Sequence, residues 1–220
     1  MRLLVYISFI FLLGSCGVIR NTPKFGLQDG VYQTNQENVF IETQNDTLFV
    51  FSENGGKQLN SLPLSTTSQP SNFAFQKSTF DLDVLAIPVK YRVSQSGIPA
   101  QLTSEINAAL YVGKRKDYFQ VNFEKTPTNR FKRKIDHYGF SIGGFVGLGN
   151  SVINSDVSQG LIPYEYQGIT FSKGIAGIIA INNFTVGVAY GFDNLLDKNS
   201  SQWIYNQKPW LGLALGLNLN

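Results

Sequence analysis

The chain has one cysteine, one histidine and few charges, and each scarcity excludes something. A single cysteine cannot form a disulfide within the chain or supply a cysteine-based metal cluster. A single histidine confines any Ser–His chemistry to His137. Asp, Glu, Lys and Arg make up only 15% of the residues, against roughly 25% in soluble domains. The net charge of +3 is too small to argue for a nucleic-acid partner. Mean hydropathy is close to zero, so beyond the N-terminal apolar stretch no run approaches the about 20 residues of a membrane helix. Glycine, at 21 residues, and aromatics, at 13%, are plentiful instead.

The apolar residues fall with period two. Across 209–220, Leu211, Leu213, Leu215, Leu217 and Leu219 alternate with Gly212, Ala214, Gly216, Asn218 and Asn220. Such alternation predicts a β-strand, because successive side chains leave opposite faces. A half-exposed strand of a soluble protein sets polar or charged residues against its apolar face. Here the second face is small or amide-bearing and carries no charge.

Five further segments read alike. In 80–93, Leu85, Ile87, Val89, Tyr91 and Val93 oppose a face with Lys90 and Arg92. In 104–121, Ile106, Ala108, Leu110 and Val112 oppose Asn107, Tyr111, Gly113, Arg115 and Asp117. In 139–149, Phe140, Ile142, Val146 and Leu148 oppose Ser141, Phe145 and four glycines. Segments 168–181 and 184–193 set Ile, Val, Phe and Tyr against Gly, Ala, Ser and Thr, with Asp193 at one end. Three shorter strands are expected at 29–32, 39–42 and 47–51, the last two flanking a turn at Gln44-Asn45-Asp46. Residues 52–71, rich in Ser, Gly, Asn, Gln, Thr and Pro, read as a linker.

This pattern resembles outer-membrane β-barrel proteins over roughly residues 80–220. The resemblance implies a small antiparallel up-and-down transmembrane β-barrel of about eight strands, with lipid-facing apolar residues and a lumen of small ones. Only six crossing strands stand out, so either segment 29–79 adds two irregular strands, the arrangement expected here, or several chains share one barrel. Asn182-Asn183 makes a short periplasmic turn, which leaves the long segments 94–103, 150–165 and 194–208 outside. Residues 124–136, with five Lys or Arg, fit a periplasmic turn poorly. A two-residue turn at 182–183 pairs Ile181 with Phe184 and Lys173 with Phe192. Lys173 then falls at the outer interface, where Tyr190, Phe192 and Trp203, with Tyr164, Tyr166 and Tyr205, form an aromatic girdle.

At the N-terminus, Arg2 precedes an apolar stretch over 3–13 that ends Leu13-Gly14-Ser15-Cys16. The stretch has the length of a secretory signal. Its end resembles the lipobox of bacterial lipoprotein precursors, and that resemblance implies cleavage before Cys16 and diacylglyceration of its thiol, with palmitate among the acyl groups. The expected organisation is a signal peptide over 1–15, a lipid-anchored tether and small β-unit over 16–79, and the barrel over 80–220.

Little chemistry is legible. His137 and Ser141 share a face but lie about 13 Å apart along a strand, beyond the reach of a base and its nucleophile. The glycines of 143–149 lack the lysine and helix of a phosphate loop. Asp193, Asn194 and Asp197 lack calcium-loop spacing. Lys90, Arg92, Arg115, Asp117 and Asp193 remain as charges inside the lumen, expected to plug it by pairing. The sequence therefore predicts a bacterial outer-membrane lipoprotein with a structural or partner-binding role, no enzymatic activity and no cofactor or metal. Its partners are outer-membrane lipid and other envelope proteins, met through loops 150–165 and 194–208. Two alternatives stay open: a subunit of an oligomeric channel or export pore, and a soluble lipid-tethered β-barrel that binds a small apolar ligand.

Overall fold

The computed structural model describes residues 27–54, 56–181 and 184–216. The signal stretch, Cys16, the turn residues Asn182 and Asn183, and the end of the leucine comb lie outside the described residues. The protein is all-β, with twelve strands in one antiparallel sheet. They are β1 (Gly30–Gln33), β2 (Asn38–Gln44), β3 (Thr47–Ser52), β4 (Gln58–Leu62), β5 (Ser65–Thr66) and β6 (Phe73–Arg92). Then follow β7 (Gln101–Ser104), β8 (Asn107–Lys125), β9 (Phe131–Ile153), β10 (Tyr166–Ile181), β11 (Phe184–Leu195) and β12 (Pro209–Gly216).

Six strands form a ring. The order β6-β8-β9-β10-β11-β12 is closed by pairing of β12 back onto β6, from Trp210↔Arg92 to Gly216↔Leu85. These are the six strands legible as long alternating segments. The expected count of eight is not met, because 29–79 adds no strand to this ring. Strands β1 to β4 form a meander that joins β6 at Gln33↔Gln76, and β5 pairs with β9 at Ser65↔Lys132. The meander and the outer halves of β6, β8 and β9 thus enclose a second tier. The boundary expected at 79/80 falls inside β6.

The two tiers have opposite polarity. In the second tier Tyr32, Val39, Ile41, Leu48, Val50, Leu62, Phe75, Phe119 and Val121 form an apolar core. Tyr32 meets Phe119 edge-on at 5.8 Å between ring centroids. Burial pushes the Tyr32 phenol above its ordinary pKa, against a hydrogen bond from the Gln28 amide, and the Asp117 carboxylate adds to the rise. In the ring, the outward face of the strands is apolar. Leu110, Val112, Phe140, Ile142, Val146, Leu148, Ile175, Ile179, Val188, Leu211 and Leu213 are all exposed.

Strand β8 carries the inversion along its length. Its buried face runs Asn107, Ala109, Tyr111, Arg115 and Asp117, then changes to Phe119 and Val121. Its exposed face runs Ala108, Leu110 and Val112, then changes to Lys114, Lys116, Tyr118 and Gln120. In β9 the outward positions change from Lys132 and Lys134 to Tyr138, Phe140 and Ile142. Strand continuity also explains the basic segment 124–136. It is not one long connection, since β8 reaches Lys125, β9 starts at Phe131, and the turn is only 126–130.

Other expectations need correction. Leu85 and Ile87 do not share the outward face of Tyr91 and Val93; both are fully buried inside the ring. A bulge is the reason. Ala86 pairs with Leu215 but Val89 with Leu213, so β6 holds one extra residue there and the alternation slips by one. Pro88, which has no amide hydrogen to donate, sits in that irregularity. The segment 94–103 is not a plain loop, because the chain turns back as β7 on β6. Residues 52–71 are not a structureless linker, since they contain β4 and β5. The register expected across 182–183 does hold, with Ile181↔Phe184 and Lys173↔Phe192 paired.

A six-stranded ring is narrow, so its strands coil tightly and backbones approach closely. Gly113 pairs with Gly143 across β8 and β9. A Cβ on Gly143 would stand 2.1 Å from the Val112 carbonyl oxygen and 2.5 Å from Gly113 Cα. Gly177 has nothing within 4 Å of its Cβ position. Gly143→Val is therefore expected to lower stability by about 3 kcal/mol, the upper part of the overpacking range. Gly177→Ala should be close to neutral. Denaturant unfolding of both variants checks this, and equal stabilities would contradict the close approach.

Candidate functional site

The candidate site is the ring interior, which is filled in three layers. The middle layer is apolar: Leu85, Ile87, Tyr111, Phe145, Ile178 and Trp210 pack with Ala109, Ala176, Ala189 and Ala214. Phe145 and Trp210 lie 5.9 Å apart at their ring centroids. Small residues elsewhere make room for them. A Cβ on Gly191 would stand 2.6 Å from the Trp210 ring.

Above this layer lies an ion cluster in which Lys90, Arg92 and Asp193 meet. Lys90 Nζ donates to both Asp193 oxygens, at 3.0 and 2.9 Å, and Arg92 Nη2 donates to Asp193 Oδ2 at 2.7 Å. A second carboxylate, Glu105, takes Arg92 Nη2 at 2.7 Å and Lys90 Nζ at 3.1 Å. Ser172 donates to Asp193 Oδ1 at 2.6 Å, and Thr103 donates to Glu105 at 3.0 Å. Lys90 also lies 4.5 Å above the Trp210 ring. All four charged residues are buried. Two cations against two carboxylates leave the cluster formally neutral, which is the condition for holding charges away from water.

Below the apolar layer a second cluster sits at the waist between the tiers. Arg115 Nε donates to Asp117 Oδ1 at 2.8 Å, and His137 Nε2 lies 2.6 Å from the same oxygen. Asp81 and Asp83 are fully buried beside it, with Asp81 4.0 Å from Arg115. The five predicted lumen charges are thus all inward, but in two groups parted by Tyr111, Phe145 and Trp210. His137 is buried against Phe119, with ring centroids at 4.8 Å. Ser141 bonds Tyr111 at 2.8 Å, so His137 and Ser141 serve different partners.

Glu105, Asp81, Asp83 and the pairing of His137 escaped the sequence reading. Asp81 and Asp83 share their alternation with Leu85 and Ile87, which count as outward until the bulge at Pro88 is known. Glu105 stands in the break between β7 and β8, where period two lapses. One signal was present: Lys90 and Arg92, set close together inside a lumen with Asp193 as their only assigned acid, call for a second carboxylate.

The upper mouth is capped. Segments 154–165 and 196–208, including a 3-10 turn at Asp156–Ser158, fold over it, and the Ile204 amide donates to the Val157 carbonyl at 3.0 Å. Trp203 does not belong to an outer girdle. It is buried in this cap with Ile153, Val157, Ile162, Leu195 and Tyr205, and its ring lies 5.1 Å from the Arg92 guanidinium. Lys173, Tyr190 and Phe192 do lie on the outside, with Tyr190 edge-on to Phe192 at 5.6 Å. Asp197 accepts from the Tyr166 hydroxyl at 2.7 Å.

No protein-family model, curated protein or solved structure matches this chain.

Proposed function

We propose that the protein is an outer-membrane β-barrel lipoprotein with a structural or partner-binding role in the bacterial cell envelope. In this reading the six-stranded ring spans the lipid, the second tier stands in the periplasm, and Cys16 carries the acyl anchor. The observation that carries it is the polarity inversion along β6, β8 and β9. The same three strands bury apolar residues in one tier and expose them in the other, which fits a chain that passes from water into lipid. On β9 the exposed apolar run from Tyr138 to Leu148 matches the about 9–11 residues of a tilted crossing strand.

The orientation is consistent with the anchor. The ends of β10 and β11 at Ile181 and Phe184, and the end of β12 at Gly216, lie at the end of the ring that faces the second tier. The described chain enters that tier at Leu27, eleven residues from Cys16 and within reach of the same leaflet. The capped segments 150–165 and 194–208 are then external and remain the surfaces for envelope partners. Closure of β12 on β6 uses the two edges that a barrel shared between chains would need, and Tyr111, Phe145 and Trp210 stand across the ring interior. Both features favour a structural or binding role over a channel subunit.

The test separates the ring from the anchor. The chain is expressed behind a cysteine-free secretory signal and the membranes are washed with alkaline carbonate. Retention in the membrane, with release only by detergent, is expected. Recovery as a monomer in detergent-free buffer would sink the membrane-spanning reading.

A further inference from the structure

At the lower rim of the apolar belt, two lysines stand where the outer faces of β6, β8 and β9 change polarity. Register places Phe80, Lys114 and Ile142 in one row across these strands, and Ser78, Lys116 and Phe140 in the next. Ser78, Phe80, Lys114, Lys116 and Phe140 line, with Thr79 and Arg115, a shallow outward groove of about 440 Å³. Phe80 and Phe140 are 65% and 51% exposed. Among the described residues neither Lys114 nor Lys116 has a carboxylate within ion-pair distance, although the lysines Lys90 and Lys134 do. Lys116 Nζ instead lies 5.3 Å from the Tyr118 ring.

We infer that this groove binds the headgroup of an anionic phospholipid. The inference rests on the membrane-spanning reading. Two ammonium groups bracket the phosphodiester, the Ser78 and Thr79 hydroxyls supply further donors, and the phenylalanine rings lie along the glycerol and first methylenes. The choice of an anionic over a zwitterionic lipid follows from charge. A choline or ethanolamine headgroup brings a cation beside two lysines, with no carboxylate there to receive it. A phosphatidylglycerol headgroup brings none.

The experiment uses the full-length protein in nanodiscs that contain phosphatidylglycerol and phosphatidylcholine, with retained lipid counted by native mass spectrometry. Preferential retention of phosphatidylglycerol is expected. In K114Q/K116Q its affinity should fall about thirtyfold, on the basis of about a fivefold loss for each basic residue near a membrane surface. K114R/K116R should restore it. K57Q/K132Q, which removes two exposed lysines of the second tier, should leave it unchanged. Equal retention of the two lipids by the inserted wild-type protein would overturn the site and leave the membrane reading standing. A similar loss in K57Q/K132Q would also overturn it, by showing a response to net charge alone. Failure of the protein to enter any bilayer would remove the membrane reading and this inference with it.

Discussion

Asp193→Ala is expected to destabilise the protein by about 3–5 kcal/mol, the usual result of removing one partner from a buried ion pair. Asp193 is fully buried and accepts from Lys90, Arg92 and Ser172 at once. Without it Glu105 alone faces two cations, and a formally neutral cluster becomes a buried net positive charge. Trp210 lies directly beneath Lys90, so the side of the cluster that faces the apolar layer offers the uncompensated charge no water. Unfolding in urea, followed by tryptophan fluorescence, measures the effect: Trp210 and Trp203 lie beside Lys90 and Arg92 respectively. A loss below about 1 kcal/mol, typical of an exposed pair, would mean the cluster is hydrated. The double change of Lys90 and Asp193 to Met and Leu should recover much of the loss, since apolar replacement of a whole buried pair is often neutral.

Val188→Arg is expected to separate a lipid environment from water more sharply than any other single change. Val188 lies mid-strand on the outer face of β11 and is 61% exposed, between Gly177 and Leu213 in register. Near the midplane of a bilayer, an arginine on the lipid face costs about 2–4 kcal/mol. On a protein surface in water, the same substitution stays within about 0.5 kcal/mol. Folding into lipid vesicles, with the lower-tier change Gln120→Arg as the control, gives the comparison. Gln120 is also exposed and outward, but below the lysine rim, so its replacement should be neutral. Equal small effects at both positions would count against the proposed membrane span.

Much of the secondary structure was legible because a strand's period of two is a local property. β8, β9, β10 and β11 could be read from their own alternation. The pairing of Lys173 with Phe192 followed from a two-residue turn, which is local too. The inward direction of Lys90, Arg92, Arg115, Asp117 and Asp193 came from the same source. Leu85 and Ile87 were misassigned because one extra residue at Pro88 reverses the alternation, and composition does not announce a bulge. Trp203 was misassigned because a loop residue has no period, and only packing against Ile153 and Leu195 decides its burial.

The sequence by itself determined that this protein is built of alternating strands, with apolar residues on one face and small or charged ones on the other. Tertiary structure alone decided that six of those strands close into a ring, that three of them continue into a second tier, and that Glu105 completes the cluster of Lys90, Arg92 and Asp193. The physical reason is the range of the interactions. Alternation is set by neighbours two residues apart, whereas ring closure joins Trp210 to Arg92 and the ion cluster joins Lys90 to Asp193. Those contacts arise only when the whole sheet has curled, and they decide which face of each strand is the inside.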